Sequence, residues 1–197
     1  LTVNYLDDGD MAHINGNTVA FSNLSNGKPL RKRNVIVPWR SEGAEKGTWE
    51  HFMIKEIFDQ KETIAYAIDH DDKEISGFVK SLRAAKGVYM IGSGTAHKAA
   101  MAGEYFFAKL ANRKVNVVPA AEMSSFENFI HKGTALVAIS QSGETADVLE
   151  ILEYAKVRGA KILSMVNVAS SSMARLSHQS IPLKVGPEKA VASTKAM

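Results

Sequence analysis

The apolar and polar positions change rhythm along this chain. Residues 1–38 carry short β-prone runs separated by turn residues: Leu1-Thr2-Val3-Asn4-Tyr5-Leu6, Met11-Ala12-His13-Ile14, Thr18-Val19-Ala20-Phe21 and Arg33-Asn34-Val35-Ile36-Val37-Pro38. Asn15-Gly16 between two such runs predicts a hairpin, because its tight turn needs positive φ. Trp39 to Gly47 is polar and glycine-bearing, which reads as a linker. Thr48 then predicts the start of a helix over Trp49–Gln60, with Trp49, Phe52, Met53, Ile57 and Phe58 on one broad face. A second helix is expected over Thr63–Ile68 and a third over Phe78–Ala85.

From Gly87 the pattern becomes regular. Strands are expected at Gly87–Gly92, Val115–Pro119, Thr134–Ile139, Lys161–Asn167 and Ile181–Val185. Helices are expected at His97–Ala111, around Glu122, at Ala146–Arg158 and at Ser171–Leu176. Alternating strands and helices imply a parallel sheet covered on both faces. Right-handed crossovers make it an α/β fold: a three-layer αβα sandwich on a five-stranded parallel sheet, preceded by a β-rich remnant and a helical linker.

Composition narrows the possibilities. The 197 residues are 45% hydrophobic and 23% charged, with a net charge of +3, which is ordinary for a globular protein. The densest basic run, Lys28-Pro29-Leu30-Arg31-Lys32-Arg33, is too narrow for a nucleic-acid face. No apolar run approaches the ~20 residues that span a bilayer, so neither nucleic acid nor membrane is expected as a partner. The absence of cysteine excludes disulfides and thiolate chemistry within the chain and fits a reducing, cytoplasmic setting. The six histidines show no metal-ligand spacing, and Asp7, Asp8 and Asp10 lack a complete calcium-loop pattern, so no metal is expected. The chain starts at Leu1 rather than Met and ends at Met197, and both ends are expected to be cuts in a longer protein.

Chemistry concentrates in three loops that follow strands: Ser93-Gly94-Thr95, Ser140-Gln141-Ser142-Gly143-Glu144-Thr145, and Glu188 to Lys195. In an open α/β sheet all three belong at the carboxyl edge of the strands, where ligands bind. The middle loop sits between an apolar strand and a helix start. Unpartnered N–H groups and the helix dipole make such a place an anion site, to which three hydroxyls and an amide add neutral hydrogen bonds. Lys189 or Lys195 would add a charge if either pointed inward. The dinucleotide fingerprint and the Walker pattern are missing, so no cofactor is expected and a simple phosphorylated ligand fits better than a nucleotide. Glu144 at a helix start reads as structural, and His97 as a helix-end residue. No catalytic set stands out.

Ser140 to Asp147 resembles the phosphosugar loop of sugar isomerase (SIS) domains. With Ser93-Gly94-Thr95, Val191 to Ala196, Leu6 to Ala12, and Lys46-Gly47 through His51 to Ile57, the chain resembles the glucosamine-6-phosphate synthase family, the glutamine:fructose-6-phosphate aminotransferases (isomerizing). The resemblance implies the end of a glutaminase domain over 1–38, an interdomain segment with helices over 39–77, and a first SIS domain over 78–197 with a flavodoxin-like sheet. It implies that Thr95, Ser140, Gln141, Ser142 and Thr145 bind the phosphate of fructose 6-phosphate or glucosamine 6-phosphate, and that Val191 and Ser193 line the sugar site. It also implies glutamine as a substrate of a missing domain, a homodimer, and catalytic groups outside this chain. Two positions depart from the family: Ala96 stands where a Ser is usual, and His97 where a Tyr is usual. The missing hydroxyl corresponds to about 1.5–3 kcal/mol if it made an unreplaced charge-assisted bond. A phosphosugar-binding regulator and a stand-alone phosphosugar isomerase are the competing readings, and the β-rich opening argues against both.

Overall fold

The structure is a computed structural model describing residues 2–36 and 45–197. Leu1, Val37, Pro38 and most of the expected linker, Trp39 to Ala44, lie outside the described residues. The chain divides into two compact units, Leu1–Glu42 and Gly43–Met197.

The first unit is all β. Strands β1 (Thr2–Val3), β2 (Asp10–Asn15), β3 (Thr18–Asn23), β4 (Pro29–Leu30) and β5 (Val35–Ile36) form two antiparallel sheets, β1-β5 and β2-β3-β4. The predicted hairpin is present, with Asn15 opposite Thr18. β4 was not anticipated: two residues carry no periodicity, and only the pairing of Phe21 with Leu30 and Ser22 with Pro29 defines it. None of the described residues of this unit is buried. The aspartate turn holds Lys32, whose Nζ meets Asp7 Oδ2 at 2.7 Å and also pairs with Asp10.

In the second unit, helices α1 (Phe52–Ile68) and α2 (Asp72–Ala84) precede the sheet. The two short helices expected over 49–68 are one helix that begins three residues late, with His51 rather than Thr48 in the N-cap position. The polar pair Lys61-Glu62 is solvent-facing helix, not a break. Trp49, outside the helix, stacks on Phe58 with ring centroids 4.9 Å apart.

The sheet contains β6 (Gly87–Gly92), β7 (Asn116–Pro119), β8 (Thr134–Ser140), β9 (Lys161–Val166) and β10 (Gln179–Pro182). All pair in parallel, in the order β10-β9-β8-β6-β7. Connecting segments are α3 (Thr95–Ala111), a 3-10 helix (Ala120–Phe129), α4 (Ala146–Val157) and α5 (Ser172–Leu176). Alternate side chains build two cores. Tyr89, Ile91, Leu136, Ala138 and Ile162 pack with Met123, Val148, Ile151, Leu152 and Met173 on one face. Val88, Met90, Ala135, Val137 and Leu163 pack with Phe78, Leu82, Ala96 and Ala100 on the other. This is the expected three-layer sandwich, with β8 buried along its whole length. The last strand lies two residues earlier than its apolar residues suggest. Its register pairs Gln179 with Leu163 and ends at Pro182, while Leu183 and Val185 remain buried beyond it. No helix among the described residues is long and apolar enough to cross a membrane.

Candidate functional site: a hydroxyl-lined pocket at the strand ends

The topology places the site. β6 and β8 are neighbours, but the chain leaves them toward opposite faces: α3 packs with the α2 core and α4 with the core on the far side. A crevice opens where successive crossovers diverge in this way. It is lined by Ser93, Thr95 and Ala96 after β6, by Ser140, Gln141, Ser142 and Thr145 after β8, and by the segment 190–193 after β10, with a volume of about 410 Å³. The structure therefore brings together the residues singled out in the three loops: Thr95, Ser140, Gln141, Ser142, Thr145, Val191 and Ser193 all line one pocket. Val191 stands fully exposed at its rim. A larger cleft of about 1040 Å³ between α2 and α3 is lined mainly by Phe78, Val79, Phe106, Leu110 and other apolar side chains. It has no converging hydroxyls and lies along a face of the sandwich.

Strand ends and helix starts come very close here, which fixes two residues. A Cβ on Gly92 would sit 2.9 Å from the Ala96 carbonyl carbon and 3.0 Å from the His97 nitrogen. Gly143 has φ +69°, and a Cβ there would fall 2.2 Å from Ser171 Oγ and 2.8 Å from Val166 Cγ2. The Gly143 carbonyl in turn accepts the Met173 N–H at 3.0 Å.

The hydroxyls of the middle loop are oriented by its own backbone. The Gly143 N–H donates to Ser140 Oγ at 2.9 Å, and the Glu144 N–H donates to Ser142 Oγ at 3.2 Å. Each oxygen has a lone pair engaged, so its O–H remains to donate outward. Thr145 precedes α4 without a side-chain cap; the Val148 N–H already returns to the Thr145 carbonyl at 3.1 Å, which leaves the Ala146 and Asp147 N–H groups at the helix start. Ser93 Oγ is a buried atom with no partner and was not singled out as a ligand. The signal for it was available, since it opens the first loop. Ala96 presents a methyl group to the pocket and is itself buried. His97 lies on the first turn of α3 outside the pocket lining, and its Nδ1 is buried without a partner.

The pocket contains no fixed charge, since none of its lining side chains is ionisable. Glu144 faces away: its Oε1 accepts the Ser172 N–H at 2.7 Å, so it serves the start of α5 rather than of its own helix. Lys195 Nζ lies 3.1 Å from Asp59 on α1 with only 4% of its side chain exposed, and Lys189 Nζ lies over the Phe52 ring. Burial raises the Asp59 carboxyl, but hydrogen bonds and charge from Lys55 and Lys195 outweigh it and hold it below the ordinary 3.8.

Behind the 188–195 segment stand two carboxylates that the sequence did not single out as site residues. Glu56, on α1, is 2% exposed and accepts N–H groups from Lys189 at 2.5 Å and Ala190 at 3.2 Å. Glu188 accepts Lys195 N–H at 2.9 Å and Ser193 O–H at 2.9 Å, and also holds Thr194 N–H. Glu56 falls four residues after Phe52, on the apolar side of α1, and that misplaced charge was the available signal.

Comparison with known proteins agrees with the fold. The SIS domain family matches residues 81–197. The chain is 34% identical over 192 residues to a glutamine–fructose-6-phosphate aminotransferase (isomerizing) of Thermococcus kodakarensis, covering 97% of this chain and 32% of that protein. It is 38% identical over 201 residues to the Mesorhizobium japonicum protein of the same name, covering 99% and 33%. The C-terminal domain of glucosamine-fructose-6-phosphate aminotransferase from Francisella tularensis superposes with a TM-score of 0.69 at 34% identity, over 77% of this chain and 45% of that one. The chain thus spans about a third of the length of the curated relatives it matches.

Proposed function

This chain belongs to the SIS domain family, and from that premise we propose that it is the sugar-phosphate-holding part of a glutamine:fructose-6-phosphate aminotransferase (isomerizing). The whole protein would make glucosamine 6-phosphate from fructose 6-phosphate and glutamine. In this reading residues 1–38 end a glutaminase domain, 39–77 join the domains, and 78–197 are the first SIS domain. The enzyme would be a cytoplasmic homodimer.

The observation that carries the proposal is the polarity of the middle loop. Ser140 and Ser142 have lone pairs occupied by Gly143 and Glu144 N–H groups, so their hydroxyls donate into the pocket beside the start of α4. A phosphate monoester is mainly a dianion near neutral pH and then offers only acceptors. Thr95, Ser140, Gln141, Ser142 and Thr145 would surround it with donors, and the helix dipole would contribute a further fraction of a kcal/mol to about 1 kcal/mol. Val191 and Ser193 would face the sugar. With no ionisable side chain in the lining, this part of the protein holds and orients the substrate. The groups that move protons and nitrogen would come from elsewhere in the protein.

The test is a titration of the chain with fructose 6-phosphate followed by amide NMR. Shifts should centre on 93–96 and 140–146. Ser142→Ala should weaken binding by about 10- to 100-fold, the value of one charge-assisted hydrogen bond. Shifts confined to other regions, or a Ser142→Ala variant that binds as tightly as the parent, would sink the proposal.

A further inference from the structure

The buried residue of α1 is a carboxylate. Helix α1 leaves Met53, Ile54, Ile57 and Phe58 substantially exposed and buries Glu56 instead. A buried carboxylate is costly unless hydrogen bonds satisfy it, and here every partner comes from one distant segment. Lys189 N–H and Ala190 N–H donate to it, and Thr194 Oγ1 lies 3.0 Å from Glu56 Oε2. Glu188 grips the same segment from within, through Ser193 O–H, Lys195 N–H, Thr194 N–H and Thr194 Oγ1, the last also at 3.0 Å. Neither carboxylate lines the pocket, but Ala190, Val191, Ala192 and Ser193 do.

Two walls of different make-up result. On the 140–145 side the hydroxyl oxygens accept from their own backbone and present O–H donors. On the 190–193 side two donors are engaged: Ala190 N–H is held by Glu56, and Ser193 O–H by Glu188, which leaves the Ser193 oxygen as an acceptor. The Ser193 oxygen favours groups that donate, such as carbohydrate hydroxyls.

We propose that Glu56 is a positioning residue: by binding the backbone and Thr194 of segment 188–195, it fixes the wall, with its Ser193 acceptor, that receives the hydroxyl-bearing end of a phosphosugar. The proposal rests on the phosphosugar reading of the pocket and adds a division of labour to it. Phosphate recognition belongs to 140–145 and is independent of Glu56. Recognition of the hydroxylated carbons depends on it.

The experiment compares the parent chain with Glu56→Gln, Glu56→Asp and Thr194→Val, using inorganic phosphate and fructose 6-phosphate as separate probes, with amide hydrogen exchange of each variant recorded without ligand. Glu56→Gln should leave the phosphate dissociation constant within about twofold and weaken fructose 6-phosphate by about tenfold, the effect of one or two lost hydrogen bonds. Exchange at Lys189, Ala190, Thr194 and Lys195 should accelerate while β8 stays protected. Glu56→Asp, which keeps the charge, should recover part of the sugar-phosphate affinity. Thr194→Val, which removes only the shared hydroxyl, should move both readouts in the same direction as Glu56→Gln and decides the matter if that variant does not fold. Equal losses for both probes, or unchanged fructose 6-phosphate affinity in both Glu56→Gln and Thr194→Val, would overturn the proposal. If the parent chain binds neither probe, the phosphosugar reading fails, and unchanged exchange at 189–195 in the variants then separately refutes the positioning role.

Discussion

At Gly143 two requirements meet in one residue. The backbone turns through φ +69° between β8 and α4, and the space where a Cβ would project is filled by Ser171 and Val166. Gly143→Ala therefore meets both a left-handed backbone and an overpacked contact. The expected loss is about 2–4 kcal/mol, read as a shift of the denaturant midpoint with little change in slope. A midpoint within about 0.5 kcal/mol of the parent, the scatter of an ordinary surface change, would show that the loop relaxes freely. The glycine was legible in the sequence as the turn of an anion loop. The reason it must be glycine was not, because Ser171 lies a whole crossover away. Glu144 shows the same limit: local spacing places it at the start of α4, while its hydrogen bond goes to Ser172 on the next helix.

At the scale of the element, α1 is attached to the pocket by polar contacts more than by its apolar residues. Asp59 adds an ionic one, between Lys55 at 2.8 Å and Lys195 at 3.1 Å. Because the folded carboxyl titrates below its ordinary 3.8, its contribution is fully present above that value and is lost as pH falls through the lowered folded value. The stability gap between the parent and Asp59→Asn should be steady from pH 7 to about pH 4 and close below it, with a plateau of about 1 kcal/mol for a partly exposed pair. Urea denaturation at pH 7, 4.5 and 2.5 measures it, and a gap that widens on acidification would contradict the assignment. The strands of the sandwich were legible because a buried parallel strand needs a continuous apolar run, as in Ala135 to Ile139. The helices before it were legible as helices but not as one rod, since Lys61-Glu62 resembles an interruption when only the sequence is considered. α1 starts three residues later than its apolar pattern suggests, and Trp49 stacks on Phe58 from outside the helix.

For the whole molecule, the two units differ in what holds them. Residues 2–36 form sheets without a buried residue, whereas β8 is buried from Thr134 to Ser140. Protection against exchange follows burial and cooperative unfolding. Amides of 136–138 should exchange at least about a hundredfold more slowly than those of 11–14, and comparable rates would show that the first unit has stability of its own. The periodicity changes near residue 39, while the two units meet at Glu42 and Gly43. The order of the sheet was legible only as a family resemblance, because pairing of β6 with both β7 and β8 depends on contacts far apart in sequence. The loop at 140–145 is also fastened across the molecule, by Gly143 to Met173 and by Glu144 to Ser172. A loop braced in this way has little conformational freedom left to lose. On the phosphosugar reading little ordering entropy would then be lost on binding, and capture would be governed by diffusive encounter rather than by waiting for a loop to close.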